Sequence, residues 1–150
     1  MTLDFILRLF VAALLGGMIG LEREYREKAA GLRTHFLVAL GSALFMIISV
    51  YGFEGVLANS QMRLDVSRIA AQVVSGIGFL GAGTIIFQKN AVHGLTTAAG
   101  VWATAAIGLT CGVGMYLLAL SATFLVLVGL EAFNYLLKIL EKRQEEAKEE

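Results

Sequence analysis

The chain has 150 residues with 12 basic and 12 acidic side chains, 57% hydrophobic residues and only 16% charged ones, where average soluble chains carry about 25% charged; its mean hydropathy is +0.75. Between Arg68 and Glu131 lie 62 residues with one formal charge, Lys89, more apolar chain than so small a soluble domain can hide. This composition points to an integral membrane protein and excludes disorder, a coiled coil and a secreted disulfide scaffold, while the zero net charge gives no electrostatic reason to bind nucleic acid.

A membrane helix needs about 20 mostly apolar residues, because every backbone amide must be satisfied within the segment. Five stretches meet that demand: Leu3 to Leu21, Phe36 to Phe53, Ile69 to Phe87, Leu95 to Cys111 and Met115 to Leu130. The predicted fold class is therefore all-α, a polytopic bundle of five transmembrane helices over residues 1–137, followed by a charged cytoplasmic tail over 138–150. The first stretch carries Asp4 and Arg8 but neither a basic leader nor an A-x-A-like cleavage site, so it reads as a retained span. Arg8 is expected to snorkel outward on its long stem. Proline is absent, which removes one route to a broken helix.

After the first stretch, Glu22-Arg23-Glu24-Tyr25-Arg26-Glu27-Lys28 is predicted to prolong the helix, with Glu22/Arg26 and Glu24/Lys28 paired at i,i+4 and Gly31 ending it. Arg33-Thr34-His35 then opens the second span. The segment is either a solvated turn facing lipid headgroups or a docking surface for another membrane protein. Glu22, Arg23, Glu24, Arg26, Arg33 and Thr34 are the candidate interaction residues. His35 and His93, at span ends, are expected to meet headgroups or loops.

The third stretch has a face. At 100° per residue, Arg68, Gln72, Ser75, Gly76, Phe79 and Gly83 share about a third of the circumference, while Val73, Val74, Ile77 and Leu80 are expected to face lipid. Polar groups in a span are functional candidates, so Asp65, Arg68 and Gln72 join the list. An Asp65–Arg68 cap and an interhelical bond from Gln72 would account for the same residues. Gly76-Ile77-Gly78-Phe79-Leu80-Gly81 matches G-x-G-x-x-G but lies inside an apolar span with no acid about 20 residues on, so a dinucleotide site is refused.

The fourth stretch is built of small residues: from Gly94 to Gly112, 14 of 19 are Gly, Ala, Thr or Cys. It is predicted to be central in the bundle, with Thr96, Thr97 and Trp102 as candidate functional positions. Small residues let membrane helices approach closely, and Gly16, Gly20, Gly76, Gly83, Gly108 and Gly112 are the predicted packing positions, within or between copies of a homo-oligomer. Cys111, the single cysteine, reads as one more small packing residue. Gly112-Val113-Gly114 is the natural hairpin point. The tail from Lys138 is expected to continue the last helix as a solvated, fraying end.

Orientation follows from basic residues. Arg23, Arg26, Lys28, Arg33, Lys89, Lys138, Lys142, Arg143 and Lys148 fall on one side, and Arg8, Arg63 and Arg68 on the other. Nine against three predicts the N-terminus outside and the C-terminus in the cytoplasm. No Walker lysine, H-E-x-x-H, Ser-His-Asp set or Cys/His metal spacing is present, so no enzyme activity, metal ligand or cofactor is expected.

Three runs of residues carry a resemblance. Gly20-Leu21-Glu22-Arg23-Glu24 with Ala30-Gly31-Leu32-Arg33-Thr34, Arg68 through Gly83, and Gly94-Leu95-Thr96-Thr97-Ala98-Ala99 with Trp102 and Ala105-Ala106-Ile107-Gly108 together resemble the MgtC/SapB family of bacterial membrane proteins. The resemblance implies an inner-membrane protein that supports growth at low magnesium and, in pathogens, survival in macrophages. It also implies action on other membrane proteins, the ATP synthase among them, without carriage of Mg²⁺. The short charged tail resembles the shorter SapB-like form, and Thr96 departs from MgtC proper, which tends to have asparagine there. Two functions are thus expected from different classes: a non-catalytic membrane modulator, or a small oligomeric transporter or channel with its path along Asp65, Arg68, Gln72 and the fourth helix.

Overall fold

The computed structural model describes residues 2–53, 65–88 and 90–149, the side chains of 134, 136–138 and 141–149 excepted. Arg63, Lys89 and the side chains of Lys138, Lys142, Arg143 and Lys148 lie outside the described residues. The element order is α1 (Thr2–Tyr25), α2 (Leu32–Tyr51), α3 (Ser67–Ala82), a hairpin of β1 (Ile86–Gln88) and β2 (Ala91–His93), α4 (Leu95–Gly112) and α5 (Tyr116–Glu149). Among the described residues four helices are long and apolar enough to cross a membrane: α1, α2, α4 and the Tyr116–Phe133 part of α5.

The third predicted span is corrected. It was expected to run unbroken to Phe87, but α3 holds 16 residues, about 24 Å of helix against a hydrocarbon core of about 30 Å. Gly81 and Gly83 weaken the last turn, and the Thr84 hydroxyl donates to the Gly81 carbonyl at 2.8 Å. The β-branched Ile85-Ile86 that follow favour extended backbone. Ile86 then pairs with His93, Phe87 with Val92 and Gln88 with Ala91, with Asn90 at φ 64° in the turn. Hydropathy runs on without a break here, while the backbone changes from helix to strand.

Helix α2 is the centre. Its neighbours α1 and α4 come so close that a methyl group on either glycine pair would strike α2. A Cβ on Gly16 would lie 2.6 Å from the His35 carbonyl oxygen, and one on Gly20 2.7 Å from Leu32 Cα. On the other flank, Gly108 would meet Ser42 Cβ at 2.8 Å and Gly112 the Ala43 carbonyl oxygen at 2.7 Å. The α1 contacts run backwards along α2 and the α4 contacts run forwards, so α1 is antiparallel and α4 parallel to it. The interior that results is made of Ala12, Leu15 and Ile19 from α1, Ala39 and Ala43 from α2, Ile107 and Cys111 from α4, and Ala119 from α5.

Two tight reversals join the helices. After α1, Glu27 takes φ 54° while Lys28 N–H donates to the Arg23 carbonyl at 3.0 Å and Glu27 N–H to that of Glu24 at 2.9 Å. After α4, Gly114 at φ 83° does the same, with Met115 N–H on Thr110 and Gly114 N–H on Cys111. Both are Schellman endings, in which a left-handed residue lets the last carbonyls find donors. Within the spans, Thr104, Thr110, Ser121 and Thr123 donate their hydroxyls to the carbonyl four residues back, which satisfies them where water is absent.

The orientation of α3 is also corrected. Ile77 and Gly81 are its buried residues, and Ile77, with Val73, packs against Val101 and Ala105 of α4. Val73 and Ile77 face the bundle, whereas Val74 and Leu80 are exposed as expected, and Arg68, Ser75 and Phe79 point away from the bundle, Phe79 being 82% exposed. Periodicity identifies which residues share a face, and the facing helix decides which face turns inward; here α4 offers only small residues and takes the branched ridge.

The glycine contacts predict a clear split among substitutions. Gly16→Leu and Gly108→Leu should each cut folded yield severely, since overpacking against backbone costs about 1–3 kcal/mol or more. Gly41→Ala and Gly76→Ala, where an added Cβ meets nothing within 4 Å, should match the wild-type yield and detergent melting midpoint.

Candidate functional site

Polar chemistry gathers at the two ends of the α1–α2–α4 core. At the end where α2 begins, Arg23 is 1% exposed, a cation that α1 turns inward beside Gly20. Glu22 answers it: the Arg23 Nε–H and Nη2–H both donate to its carboxylate, the second at 2.7 Å. Glu22 also accepts from Arg26 Nε at 3.2 Å, and Arg26 forks onto the Glu131 carboxylate of α5. The Glu131 hydrogen bonds, helped by its charge and that of Glu22, raise the Arg26 pKa further above its ordinary value. Bidentate geometry of this kind suits a guanidinium against a carboxylate.

Glu24 has a different task from the one expected. Instead of pairing with Lys28, its Oε2 accepts the Leu32 N–H at 2.9 Å and so caps α2 from eight residues upstream. The helix that was to carry the Glu24/Lys28 pair ends at Tyr25, which takes Lys28 off the helical surface. Gly31, at the cap position, brings no capping side chain, and a Cβ there would collide with the Glu24 carboxylate.

His35 is corrected from a headgroup contact to a core residue: it is 0% exposed. Its Nδ1–H donates to the Gly31 carbonyl at 2.9 Å. Its Nε2 has no hydrogen-bond partner among the described residues and faces Gly100, whose added Cβ would sit 3.6 Å away. Nearby on α4, Thr97 is 4% exposed. Arg33, Thr34 and Thr96 stand exposed in the first turns of α2 and α4, which begin side by side because those helices are parallel. Trp102 is 53% exposed and His93 is exposed on β2.

The opposite end is built on Arg8, whose stem reaches toward the start of α1 and whose guanidinium is met there by protein groups. Its Nη1–H groups donate to the Gly112 carbonyl at 2.8 Å and to Tyr51 Oη at 3.0 Å, and Nη2 pairs with Asp4 at 2.8 Å. The guanidinium also lies 5.2 Å from the Tyr51 ring centre and 5.6 Å from that of Phe5. One cation thus joins α1, α2 and the carboxyl end of α4, whose last carbonyls carry the negative pole of the helix dipole. The sequence placed Arg8 near the outer end of its span without naming it as a site residue; the signal was present in an arginine inside a span with Asp4 one turn before it.

Asp65 caps α3 through Ser67 rather than pairing with Arg68. Its Oδ1 accepts from the Ser67 N–H at 3.0 Å and hydroxyl at 2.5 Å. The Ser67 hydroxyl and amide, with the Arg68 charge beyond them, hold this carboxyl below its usual range. Ser49 Oγ donates to the Val66 carbonyl at 2.8 Å and ties this corner to α2. Asp65, Arg68 and Gln72 therefore lie apart from the buried polar groups. Gly83 sits at the end of α3, and Gly76 lines a groove of about 530 Å³ between α2 and α3 with Leu37, Gly41, Phe45, Gln72 and Leu80.

The structural elements that hold these groups are the ones a family model matches: the model of the MgtC family covers residues 9–139. The chain belongs to the MgtC family. It is 54% identical over 136 residues to a protein named "Putative magnesium transporter YhiD" of Escherichia coli (strain K12), a match covering 91% of this chain and 63% of that protein. It is 47% identical over 123 residues to "Protein MgtC" of Salmonella typhimurium, covering 82% of this chain and 49% of that one. The MgtC-family chain thus spans between about half and under two thirds of the length of these curated relatives. No solved structure matches it. The Arg23–Glu22 pair, the Glu24 cap and the buried His35 all fall within the matched residues.

Removing Glu22 should be the costliest change at this end. Glu22→Ala leaves the Arg23 guanidinium buried and unpaired, a loss of about 3–5 kcal/mol. Glu24→Ala removes a helix cap and should cost about 1 kcal/mol. Glu131→Ala breaks a solvent-facing pair worth about 0–1 kcal/mol. Detergent melting midpoints in that order of loss would check the ranking.

Proposed function

We propose that this protein is a non-enzymatic component of the bacterial inner membrane that serves adaptation to low magnesium by acting on other membrane proteins, without itself carrying Mg²⁺. The observation that carries this reading is where the carboxylates go. Asp4 is held by Arg8, Glu22 by Arg23 and Arg26, Glu131 by Arg26, and Glu24 and Asp65 by backbone amides. Mg²⁺ is a hard ion that wants several oxygens in near-octahedral order, and each of these carboxylates already answers one of the protein's own donors at a separate place in the fold. The link to magnesium rests on the family and on the names of its relatives. A role in virulence, as the resemblance to MgtC implies, depends on the same partners and is proposed with them.

The surface offered to a partner is the end where α2 and α4 begin. Arg33, Thr34 and Thr96 are exposed there, beside the Arg26–Glu131 bridge. The bias of basic residues puts this end in the cytoplasm. A reporter joined after Lys28 should then be active in the cytoplasm and one joined at Asn59, outside the described residues, active on the far side. A cytoplasmic signal at Asn59 would reverse or break this topology.

A second reading, a small transporter, is favoured by the name of the Escherichia coli relative and by the exposed Arg68 and Gln72. Two measurements separate them. Deletion should slow growth in magnesium-poor medium, and rescue should tolerate Asp65→Asn but fail with Arg33→Glu/Thr34→Ala. Mg²⁺ flux in proteoliposomes, abolished by Asp65→Asn, would instead establish the transporter.

A further inference from the structure

Between α3 and α4 the β1–β2 hairpin stands largely clear of the helices. All of its strand residues, Ile86, Phe87, Gln88, Ala91, Val92 and His93, are exposed. Among the described residues no backbone hydrogen bond reaches these strands from outside the pair. A two-stranded hairpin is marginal in water unless something covers one of its faces. The register gives it two unlike faces, because paired residues share a side and successive residues alternate. Phe87 pairs with Val92, which makes one face wholly apolar; these side chains are 71% and 51% exposed. The other face holds the Ile86–His93 and Gln88–Ala91 pairs, so the polar side chains Gln88 and His93 both lie there.

The depth of the hairpin is set by the helix that follows it. One residue, Gly94, separates β2 from α4, and α4 is long and apolar enough to cross the membrane. Gly94 takes φ 90°, and a Cβ there would collide with the Thr84 carbonyl. The neck of the hairpin is therefore tied down at the start of α4. Strands of three residues reach about 10 Å, and the headgroup zone is about 5–8 Å thick on each side of the hydrocarbon. The hairpin thus occupies the boundary between acyl chains and water. It cannot sink further, since the unpaired outer edges of its strands would find no donor or acceptor in hydrocarbon.

We propose that this hairpin is a lipid-binding element that lies along the membrane surface where α2 and α4 begin, with Phe87 and Val92 set into the acyl chains and Gln88 and His93 turned to water. Amphipathic elements at this boundary sink their apolar face about 5–10 Å into it. Lipid is the phase already present at that depth around the bundle, and it covers the Phe87–Val92 face that no helix of the chain covers. Headgroups and interfacial water satisfy the strand edges and the polar face. Bound in this way, the hairpin moors the end of α3, which is too short, at 16 residues, to cross the bilayer by itself. The proposal is independent of what the protein does to magnesium.

The test uses the full chain in liposomes of phosphatidylethanolamine and phosphatidylglycerol. Phe87→Cys, Val92→Cys, Gln88→Cys and His93→Cys are spin-labelled one at a time, with the wild type, whose single Cys111 is buried, as the unlabelled control. Labels at the Phe87 and Val92 positions should be relaxed several-fold more by oxygen, which concentrates in lipid, than by a water-soluble nickel chelate. Labels at the Gln88 and His93 positions should show the reverse. In native membranes, a photo-reactive phenylalanine analogue in place of Phe87 should link to lipid. Four labels equally open to the chelate would put the hairpin in water. A label at the Phe87 or Val92 position shielded from both reagents would mean that protein covers it. Either result, or a photo-adduct to a second copy or to another protein, would overturn the proposal.

Discussion

The close approach of α1 and α4 to α2 is the constraint on which the rest depends. In hydrocarbon no hydrophobic force draws helices together, so association rests on packing and on hydrogen bonds. Gly16 and Gly20 on one flank, and Gly108 and Gly112 on the other, let both neighbours come against the α2 backbone. The interior is accordingly built from alanines and a few branched residues, and its charged groups lie at its ends. Helix α5 then lies on the outside, its bulky leucines and Phe124 exposed to lipid, and α3 leans on α4 through a single apolar ridge.

Each end of that core is closed by an arginine. Arg8 binds a helix-terminal carbonyl, a tyrosine and an aspartate, and Arg23 is sealed by the adjacent Glu22. A guanidinium has five donors in a rigid fork, enough to join several helices from one position. Burying one without partners would be prohibitive, so the placement of Asp4, Tyr51 and Glu22 is part of the same structural demand. His35 sits one turn further in. Its Nδ1–H is used by Gly31 and its Nε2 faces Gly100, one of the buried polar atoms left unpartnered among the described residues.

The family relationship and the site geometry bear on different questions. Membership in the MgtC family sets the chain beside relatives of which one is named a putative magnesium transporter, and the 54% identity to that relative extends over 91% of this chain. The geometry adds what the acidic residues do. In a protein that coordinates a hard cation, carboxylates converge and stay open; in this one Asp4, Glu22, Glu24, Asp65 and Glu131 are distributed among caps and ion pairs that hold helix ends in place.

The sequence by itself determined the membrane class, the positions of the apolar stretches, the turn at Gly112–Gly114 and the resemblance to the family. These follow from quantities that add along the chain: transfer free energies summed over about 20 residues, and short motifs read in order. The glycine spacing likewise marked Gly16, Gly20, Gly108 and Gly112 as places where helices could meet. Tertiary structure alone decided which helix each one meets, that α3 stops at Ala82 and gives way to a hairpin, and that its Val73–Ile77 ridge turns inward while Ser75 and Phe79 turn out. It alone gave Arg8 its partners on three helices, took His35 from a span end into the core, and moved Glu24 from a helix-surface pair to the cap of α2. The reason is steric and non-local. Whether a face is buried, or a carboxylate reaches an amide eight residues on, depends on the shape of the neighbour opposite, and that neighbour lies far away in the sequence.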